Sequence, residues 1–508
     1  MNQNGNAISC PNCKVLELQI ADLQKANAQL KLRVADLQQR NKTLIGRARF
    51  FQAELHRQQA LHLAAQDRVK ELDERVNTNA SNSHIPPSAN PLGAPRPTVK
   101  KPTGRKRGAQ IGHPGHYRKL IPSEQTDERI EHRPKICERC QASLQGRPAT
   151  LIGRHQVAEL PVRAVRIIEH QSFACRCEQC GTVNRGQIPD AVRVSVTGER
   201  LGAAIGLLSS RVQGSRRAVA EAVTELLGSP VALGSISARE RELSRALAGA
   251  YNQLVDEVAD SDVKYADETG WLLKGQKIWL FTAVTDKAVI FRVERVRTRP
   301  SLKALLGGKL HGTFCTDRHS IYDVLPAERR GLCWAHLKRD FVRCMERGGT
   351  SEPIGRDALE ISQSVFALWR DYREGRITRQ QLQEQVAPLK ARMHQVLLAG
   401  VATGVKKTKG LCQHLLKREE SMWRFAYVEG LEPTNNLAER MLRPAVVWRK
   451  KSFGSDSKRG CRFASRMLSV VQTLKMRGQN ALDYLAASLR AYRQGASPPP
   501  FPSAVRQE

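Results

Sequence analysis

Residues 263–271 read VKYADETGW, and at this point the hydrophobic period of the chain changes. This run, KIWLFTAVT (277–285) and AVIFRVERV (288–296) are short, rich in β-branched and aromatic residues, and separated by turn-like segments. Such runs read as strands. A fourth, GTFCTDRHS (312–320), follows a helix expected at 300–306, and a fifth, GLCWAH (331–336), leads into LKRDF. On either side the composition is helical. Residues 198–255 precede the strands, 353–428 follow them, NNLAER (435–440) starts another helix, and 463–493 closes with one or two amphipathic helices. The tail GASPPPFPSAVRQE (495–508) reads as disordered. The expected fold class is multidomain α+β.

At 508 residues the chain has room for several domains and a sizeable core. Lys and Arg number 82 against 49 Asp and Glu, a formal charge of +33. Self-repulsion on that scale points to a polyanionic partner. Nucleic acid fits better than a membrane surface. The start, MNQNGNAISC, lacks an apolar core, and the longest apolar run, LGAAIGLL (201–208), is too short to span a bilayer. Twelve cysteines, several in pairs, point to metal ligation in a reducing compartment rather than a disulfide scaffold, so a cytoplasmic location is expected.

Leu16, Leu23, Leu30, Leu37 and Leu44 recur every seven residues, and Ile20, Asn27, Val34 and Asn41 stand four residues after the first four. The result is a coiled-coil seam over about four heptads, continued raggedly through Phe51, Leu55, Val69, Leu72 and Val76. Asparagines at two a positions favour paired, in-register strands, so self-association is expected. The other reading is one amphipathic helix docked on its own body. From Asn77 to about Pro134, Pro, Gly and Ser dominate and no packed core is available. Residues 96–119 hold eight Lys/Arg and no acid. With Arg105, Lys106 and Arg107 among them, they read as a phosphate-contacting arm, against the plainer reading of a solvated linker.

Cys-x2-Cys occurs at Cys137/Cys140 and again at Cys177/Cys180. Two turns of this kind present four thiolates to a structural zinc. Cys175 is an alternate ligand, and the 36 residues between Cys140 and Cys177 exceed the usual spacing. Cys10 and Cys13 would complete a site only with a partner chain. Buried free thiols are the plain alternative, and they leave the paired spacing unexplained. Further on, SRRAVAEAVTELLG (215–228), the turn SPVALG (229–234) and SISARERELSRAL (235–247) resemble a helix-turn-helix. Ser237 and Glu240 fit a capping box there, with Arg239 and Arg241 placed to reach a groove. Helical hairpins are also common without DNA.

Asp267 follows the first strand, Asp317 the fourth, and Glu439 lies on the later helix within PTNNLAERMLRP (433–444). Cleaving or joining phosphodiesters with two divalent ions needs carboxylates that converge on metals about 3.5–4 Å apart. Mg²⁺ takes oxygen ligands of this kind. Each acid also has a plainer reading. Asp267 opens the turn-like DETG, and Asp317 would cap RHSIYDVL, with Asp323 and Asp340 competing for its role. Glu439 stands three residues after Asn436 in a capping-box pattern. Asn435 and Asn436 would orient Glu439, bond the DNA backbone, or simply cap. Arg440, Arg443, Arg449, Lys450 and Lys451 suit phosphate contacts at the rim, or a solvated helix face. His336, in CWAH, reads as a residue that packs or bonds near the core, against the alternative of a direct catalytic role. Periodicity alone does not bring the three acids together.

DETGW (267–271), TDRHSIYD (316–323), CWAHLKRDF (333–341) and PTNNLAERMLRP (433–444) together closely resemble the transposases of the insertion-sequence sixty-six family, within the DDE superfamily. The resemblance covers nearly the whole chain and includes the order of its parts. It implies a ribonuclease-H-like α/β core interrupted by a helical insertion, with Asp267, Asp317 and Glu439 as catalytic acids holding two Mg²⁺ (or Mn²⁺) ions. The implied reaction is cleavage at the ends of a bacterial mobile element, then attack of the freed 3′-hydroxyl on target DNA. Accessory proteins of the same element and a nucleoid location go with it. Thr434 departs from the family, whose usual residue before the paired asparagines is Asp. The competing reading is a DNA-binding regulator that has lost catalysis, and the three intact acids argue against it. The expected domains are a leucine-zipper coiled coil (15–76), a basic linker (77–134), a zinc-binding domain (135–190) and a helix-turn-helix-like segment (191–255). They continue with the core (256–345 and 431–455), its helical insertion (346–430) and a C-terminal helical segment (456–495).

Overall fold

The computed structural model describes residues 11–78, 120–161, 164–180, 182–193 and 195–503. The chain divides into two units, one containing the long helix α1 (Pro11–Val76) and the other all described residues from Leu120 onward. Along α1 the heptad leucines Leu16, Leu23, Leu30, Leu37 and Leu44 are each more than half exposed in the single chain. Cys10 and the basic arm with Arg105, Lys106 and Arg107 lie outside the described residues. Among the described residues no helix is long and apolar enough to cross a membrane.

The second unit opens with little core. Residues 120–193 hold a two-stranded antiparallel ribbon, β1 (Ala174–Arg176) and β2 (Val183–Arg185), and the one-turn helix α2 (Asp190–Arg193). Four helices follow: α3 (Glu199–Ser210), α4 (Arg216–Leu227), α5 (Leu233–Ala246) and α6 (Ala248–Asp260). The Ser215 hydroxyl accepts from Ala218 N and starts α4, and left-handed Gly228 ends it. Ile205, Val219, Val223 and Ile236 form a small apolar cluster of their own. Helix α5 begins at Leu233, so Ser237 lies inside it and makes no capping box. Glu240 instead accepts from Arg216 at 2.9 Å.

The sheet has β3 (Val263–Leu273), β4 (Gln276–Val284), β5 (Val289–Glu294), β6 (Thr313–Thr316) and β7 (Arg330–Leu332), in the order β5-β4-β3-β6-β7. The first three strands in chain order pair antiparallel, while β6 is parallel to β3 and β7 to β6. Helix α7 (Arg299–Leu305) lies in the crossover from β5 to β6. Lys274 and Gly275 both have positive φ, the two-residue hairpin turn whose twist matches its strands. Strand β3 does not stop before DETG. It runs through the acid, with Asp267 opposite Thr282, because the apolar run 277–284 extends the pairing to the hairpin tip and Trp271 is fully buried.

After β7 come α8 (Trp334–Glu346), α9 (Ser351–Arg373), α10 (Arg379–Ala402), α11 (Lys406–Leu416) and α12 (Glu419–Tyr427). They form a second core in which Trp334 meets Trp423 edge-on at 5.0 Å and donates its indole N–H to Met422 O. The chain then returns to the sheet through α13 (Asn436–Ser452), α14 (Lys458–Met476) and α15 (Ala481–Arg493). Residues 495–503 are not a loose tail. Phe501 packs against Tyr484 with ring centroids 5.1 Å apart, and Arg477 donates to Pro502 O at 2.8 Å. Proline there stiffens the segment, and a ring and carbonyls dock it.

Edge strand β5 would leave a row of amides unpaired. Helix α14 covers them. Ser465, Ser469 and Thr473 accept from the amides of Val293, Phe291 and Val289 at 3.2, 2.8 and 3.0 Å. Residues four apart on a helix rise about 6 Å, and alternate amides of a strand lie about 6.6 Å apart. The two repeats match closely enough for three successive bonds.

Candidate active site

Tyr265 pairs with Cys315 across the parallel strands β3 and β6. Two residues further along each strand direction stand Asp267 and Asp317, so the register brings these acids to one end of the sheet. Glu439 reaches the same place from the first turn of α13, where the helix dipole favours an anion. All three carboxylates are partly buried. Loss of water, then the charges of Glu268, Asp317 and, more weakly, Glu439 push the Asp267 carboxyl well above its ordinary value. Glu439 is 172 residues downstream of Asp267 in the chain, yet its charge bears on it.

The supporting bonds explain how the acids are held. Asp267 Oδ1 accepts from Glu268 N, and Asp317 Oδ1 from His319 N, both at 2.9 Å. Buried Arg330 pins the loop behind Asp317, donating to the carbonyls of Asp317 and His319 at 2.9 and 3.2 Å and to Asp323 at 2.6 Å. The start of α13 is tied to β3 by Asn435, whose Nδ2 donates to Ala266 O at 2.8 Å. Its backbone N–H donates to Cys333 Sγ at 3.1 Å, and Trp334 N donates to Pro433 O at 2.8 Å. Asn435 caps α13 in position only, for its side chain makes no capping bond. The capping box expected between Asn436 and Glu439 is absent, since Asn436 is already inside the helix.

Several expectations for contacts with DNA change. Asn435 is fully buried and Arg239 nearly so, with Arg239 ion-paired to Glu242 at 2.6 Å; neither faces a ligand in solvent. Arg449 spends its guanidinium on Gly270 O and Thr269 Oγ1 of β3. Arg241, Asn436, Arg440, Arg443, Lys450 and Lys451 are exposed. The competing acids are engaged elsewhere: Asp340 with Arg318, and Asp323 with Arg330 and Arg418. Burial opposes it, but the bonds from Arg418 and Arg330 hold Asp323 below its ordinary value.

The sequence reading passed over Glu268, Tyr322 and Cys333. Buried Glu268 accepts from Arg297 and from the Tyr322 hydroxyl. Burial, then the charge of Asp317, raise its carboxyl against those two bonds. The doubled acid in DETG was the available signal. Cys333 and His336 sit at the start of α8 beside Glu439, with His336 Nε2 3.6 Å from Glu439 Oε1. The ligand atoms of Cys333, His336 and Glu439 all lie within 4.8 Å of one another. Burial pushes the Cys333 thiol up to about 12.

The paired cysteines occupy two similar turns. Cys137 N donates to Ala142 O at 2.9 Å, and Cys177 N to Thr182 O at 2.8 Å. Hydrogen bonds from the backbone of Cys140 and Arg139 lower the Cys137 thiol, and bonds with Thr182 lower Cys180. Both environments favour thiolate. Among the described residues the two pairs are not gathered within 4.8 Å of each other. Cys175 lies on β1 and is exposed.

Fold and site together define a mixed α and β protein with a carboxylate-lined centre at the junction of β3, β6 and α13. Residues 216–463 match the Transposase IS66 family. Residues 14–119 match a family of unknown function, DUF6444. A curated relative, the uncharacterized protein y4qI of Sinorhizobium fredii, is 27% identical over 274 residues, covering 48% of this chain and 50% of the relative. The chain thus spans about half the length of the curated relative it matches.

Proposed function

We propose that the protein is a DNA transposase of the DDE kind, built on a ribonuclease-H-like core, which cleaves DNA at the ends of an insertion sequence and joins the freed 3′-hydroxyl to target DNA. The observation that carries this reading is the convergence of Asp267, Asp317 and Glu439 from three separate elements on one end of the sheet, where burial first, and then the neighbouring carboxylate charges, raise the Asp267 carboxyl. Carboxylates that repel one another are costly unless a cation lies among them, and mere DNA binding has no use for them. The strand order and the mixed pairing of the sheet support the core assignment.

The donor set is all oxygen and suits Mg²⁺ or Mn²⁺, so Asp267, Asp317 and Glu439 would hold two such ions. When bound, they supply activation of the attacking oxygen and stabilisation of the leaving one. The chain's own contribution is position. Strand pairing fixes Asp267 beside Asp317, Arg330 pins the loop after β6, and Asn435 anchors the helix bearing Glu439.

DNA is the partner that the charge of +33 fits. Exposed Arg440 and Arg443 flank the acids, and the arm with Arg105, Lys106 and Arg107 would add phosphate contacts. A cleft of about 410 Å³ elsewhere on the same unit is lined by Arg292, Arg295, Lys458, Arg462 and Arg466. The exposed heptad leucines of α1 are suited to pairing with a second copy. Cys137, Cys140, Cys177 and Cys180 would hold a structural zinc, each pair in a turn that favours thiolate.

The test is incubation with duplex DNA carrying the element's terminal repeats and Mg²⁺. Strand cleavage at the repeat end and a joined product are expected. Specific binding with no cleavage at any Mg²⁺ or Mn²⁺ concentration would leave a DNA-binding regulator instead.

A further inference from the structure

Beside the three acids lies a second ligand set of different chemistry. Cys333 Sγ, a His336 ring nitrogen and a Glu439 carboxylate oxygen come within 4.8 Å of one another. Ligands around a tetrahedral zinc bound at roughly 2.0–2.3 Å stand somewhat closer than that, so a small contraction would close the set. His336 Nε2 and Glu439 Oε1 are already 3.6 Å apart. Cys333 and His336 are three residues apart at the start of α8, and Glu439 is in the first turn of α13. Two bonds donated by backbone amides, Asn435 N to Cys333 Sγ and Trp334 N to Pro433 O, lash these helix starts together. The Asn435 amide, 3.1 Å from the sulfur, fixes the direction in which Cys333 points.

We propose that Cys333, His336 and Glu439 form a capture site for a thiophilic divalent cation of the zinc class, and that its occupation withdraws Glu439 from Asp267 and Asp317. Sulfur, nitrogen and oxygen donors together select such an ion over Mg²⁺, which prefers oxygen alone. On capture the Cys333 thiol gives its proton to solvent, a sulfur–metal bond forms, and the ion sheds water in exchange. No electron changes hands. Glu439 belongs to both donor sets, so the protein would be inactive while the soft ion is held. This second half rests on the proposed role of Glu439 as the third acid; the capture itself does not.

The experiment has two arms on the full chain. In the first, Co²⁺ is titrated into Asp267→Asn and into Asp267→Asn/Cys333→Ser, with the paired cysteines contributing equally to both. Extra thiolate-to-cobalt charge-transfer absorption, above the part both proteins share, is expected in the former and not in the latter. Identical spectra overturn the site. His336→Gln in the same background is the second variant, expected to shift the cobalt ligand-field bands, and it decides the matter if Cys333→Ser does not fold. In the second arm, Zn²⁺ is added to DNA cleavage at fixed Mg²⁺. The zinc concentration for half-inhibition, measured against each protein's own zinc-free rate, is expected to rise at least about tenfold in Cys333→Ser. An unchanged value overturns the inhibitory role. If no cleavage is seen at all, the transposase reading has failed, and the cobalt arm still decides the site.

Discussion

Replacing Asn435 by Ala removes a side-chain amide that lies wholly inside the protein. That amide donates to the carbonyl of Ala266 at 2.8 Å, one residue before Asp267, and so links the start of α13 to the strand bearing the first acid. Its loss leaves a buried carbonyl without this donor, a cost of about 1–3 kcal/mol. In a unit of this size that corresponds to a fall in Tm of roughly 1–5 °C. The same loss loosens Glu439 relative to Asp267, and a misplacement near 1 Å in a positioned group costs about 100-fold in rate. Asn435→Asp should do more harm, because an isosteric carboxylate cannot donate to Ala266 O and adds charge beside the acids. The assays are thermal melting, fluorescence anisotropy with terminal-repeat DNA, and single-turnover cleavage. Lower Tm and about 100-fold slower cleavage are expected, with DNA affinity unchanged because the side chain is unreachable from solvent. Weakened DNA binding with undiminished cleavage of the bound complex would refute the positioning role and restore a DNA contact.

Other parts of the account are tested separately. Ser469→Ala deprives the Phe291 amide of its acceptor and should destabilise the protein by about 1–3 kcal/mol in chemical denaturation, whereas a neutral result would mean that β5 needs no cover. Lys264, fully buried, donates to the carbonyls of Ser261 and His311, and burial lowers its ammonium to about 8. The folded lysine therefore sheds its proton before the unfolded one does. Wild-type stability should gain a contribution as pH climbs from there toward the ordinary lysine value of about 10.4, and Lys264→Met should lack that gain. For the paired cysteines, mass spectrometry of intact Cys137→Ser/Cys177→Ser should find one zinc fewer per chain than wild type; equal zinc would remove that site.

The strands were legible because they are dense in β-branched and aromatic residues, and the runs beginning at 263, 277, 288, 312 and 331 correspond to β3 through β7. Helix α7 was expected at 300–306, and the long helix α1 was legible from its seven-residue leucine period. What escaped was every feature set by register or by distant pairing. Nothing local distinguishes Asn435, which bonds 169 residues back in the chain, from an ordinary cap. Arg239 looks solvent-directed in RERE until Glu242 and Ser195 enclose it. The hydroxyls of Ser465, Ser469 and Thr473 carry a four-residue period, yet read as mere polar interruptions until β5 is placed beside them. The proline-rich tail read as disordered because composition does not reveal that Arg477 and Tyr484 receive it.

The central claim is that Glu439 completes a metal-dependent centre with Asp267 and Asp317. The most direct measurement is Mg²⁺-dependent cleavage of terminal-repeat DNA by wild type and by Glu439→Gln, with DNA affinity measured on the same samples. The account predicts that Glu439→Gln binds DNA as wild type does and cleaves nothing. Full cleavage by Glu439→Gln would contradict it.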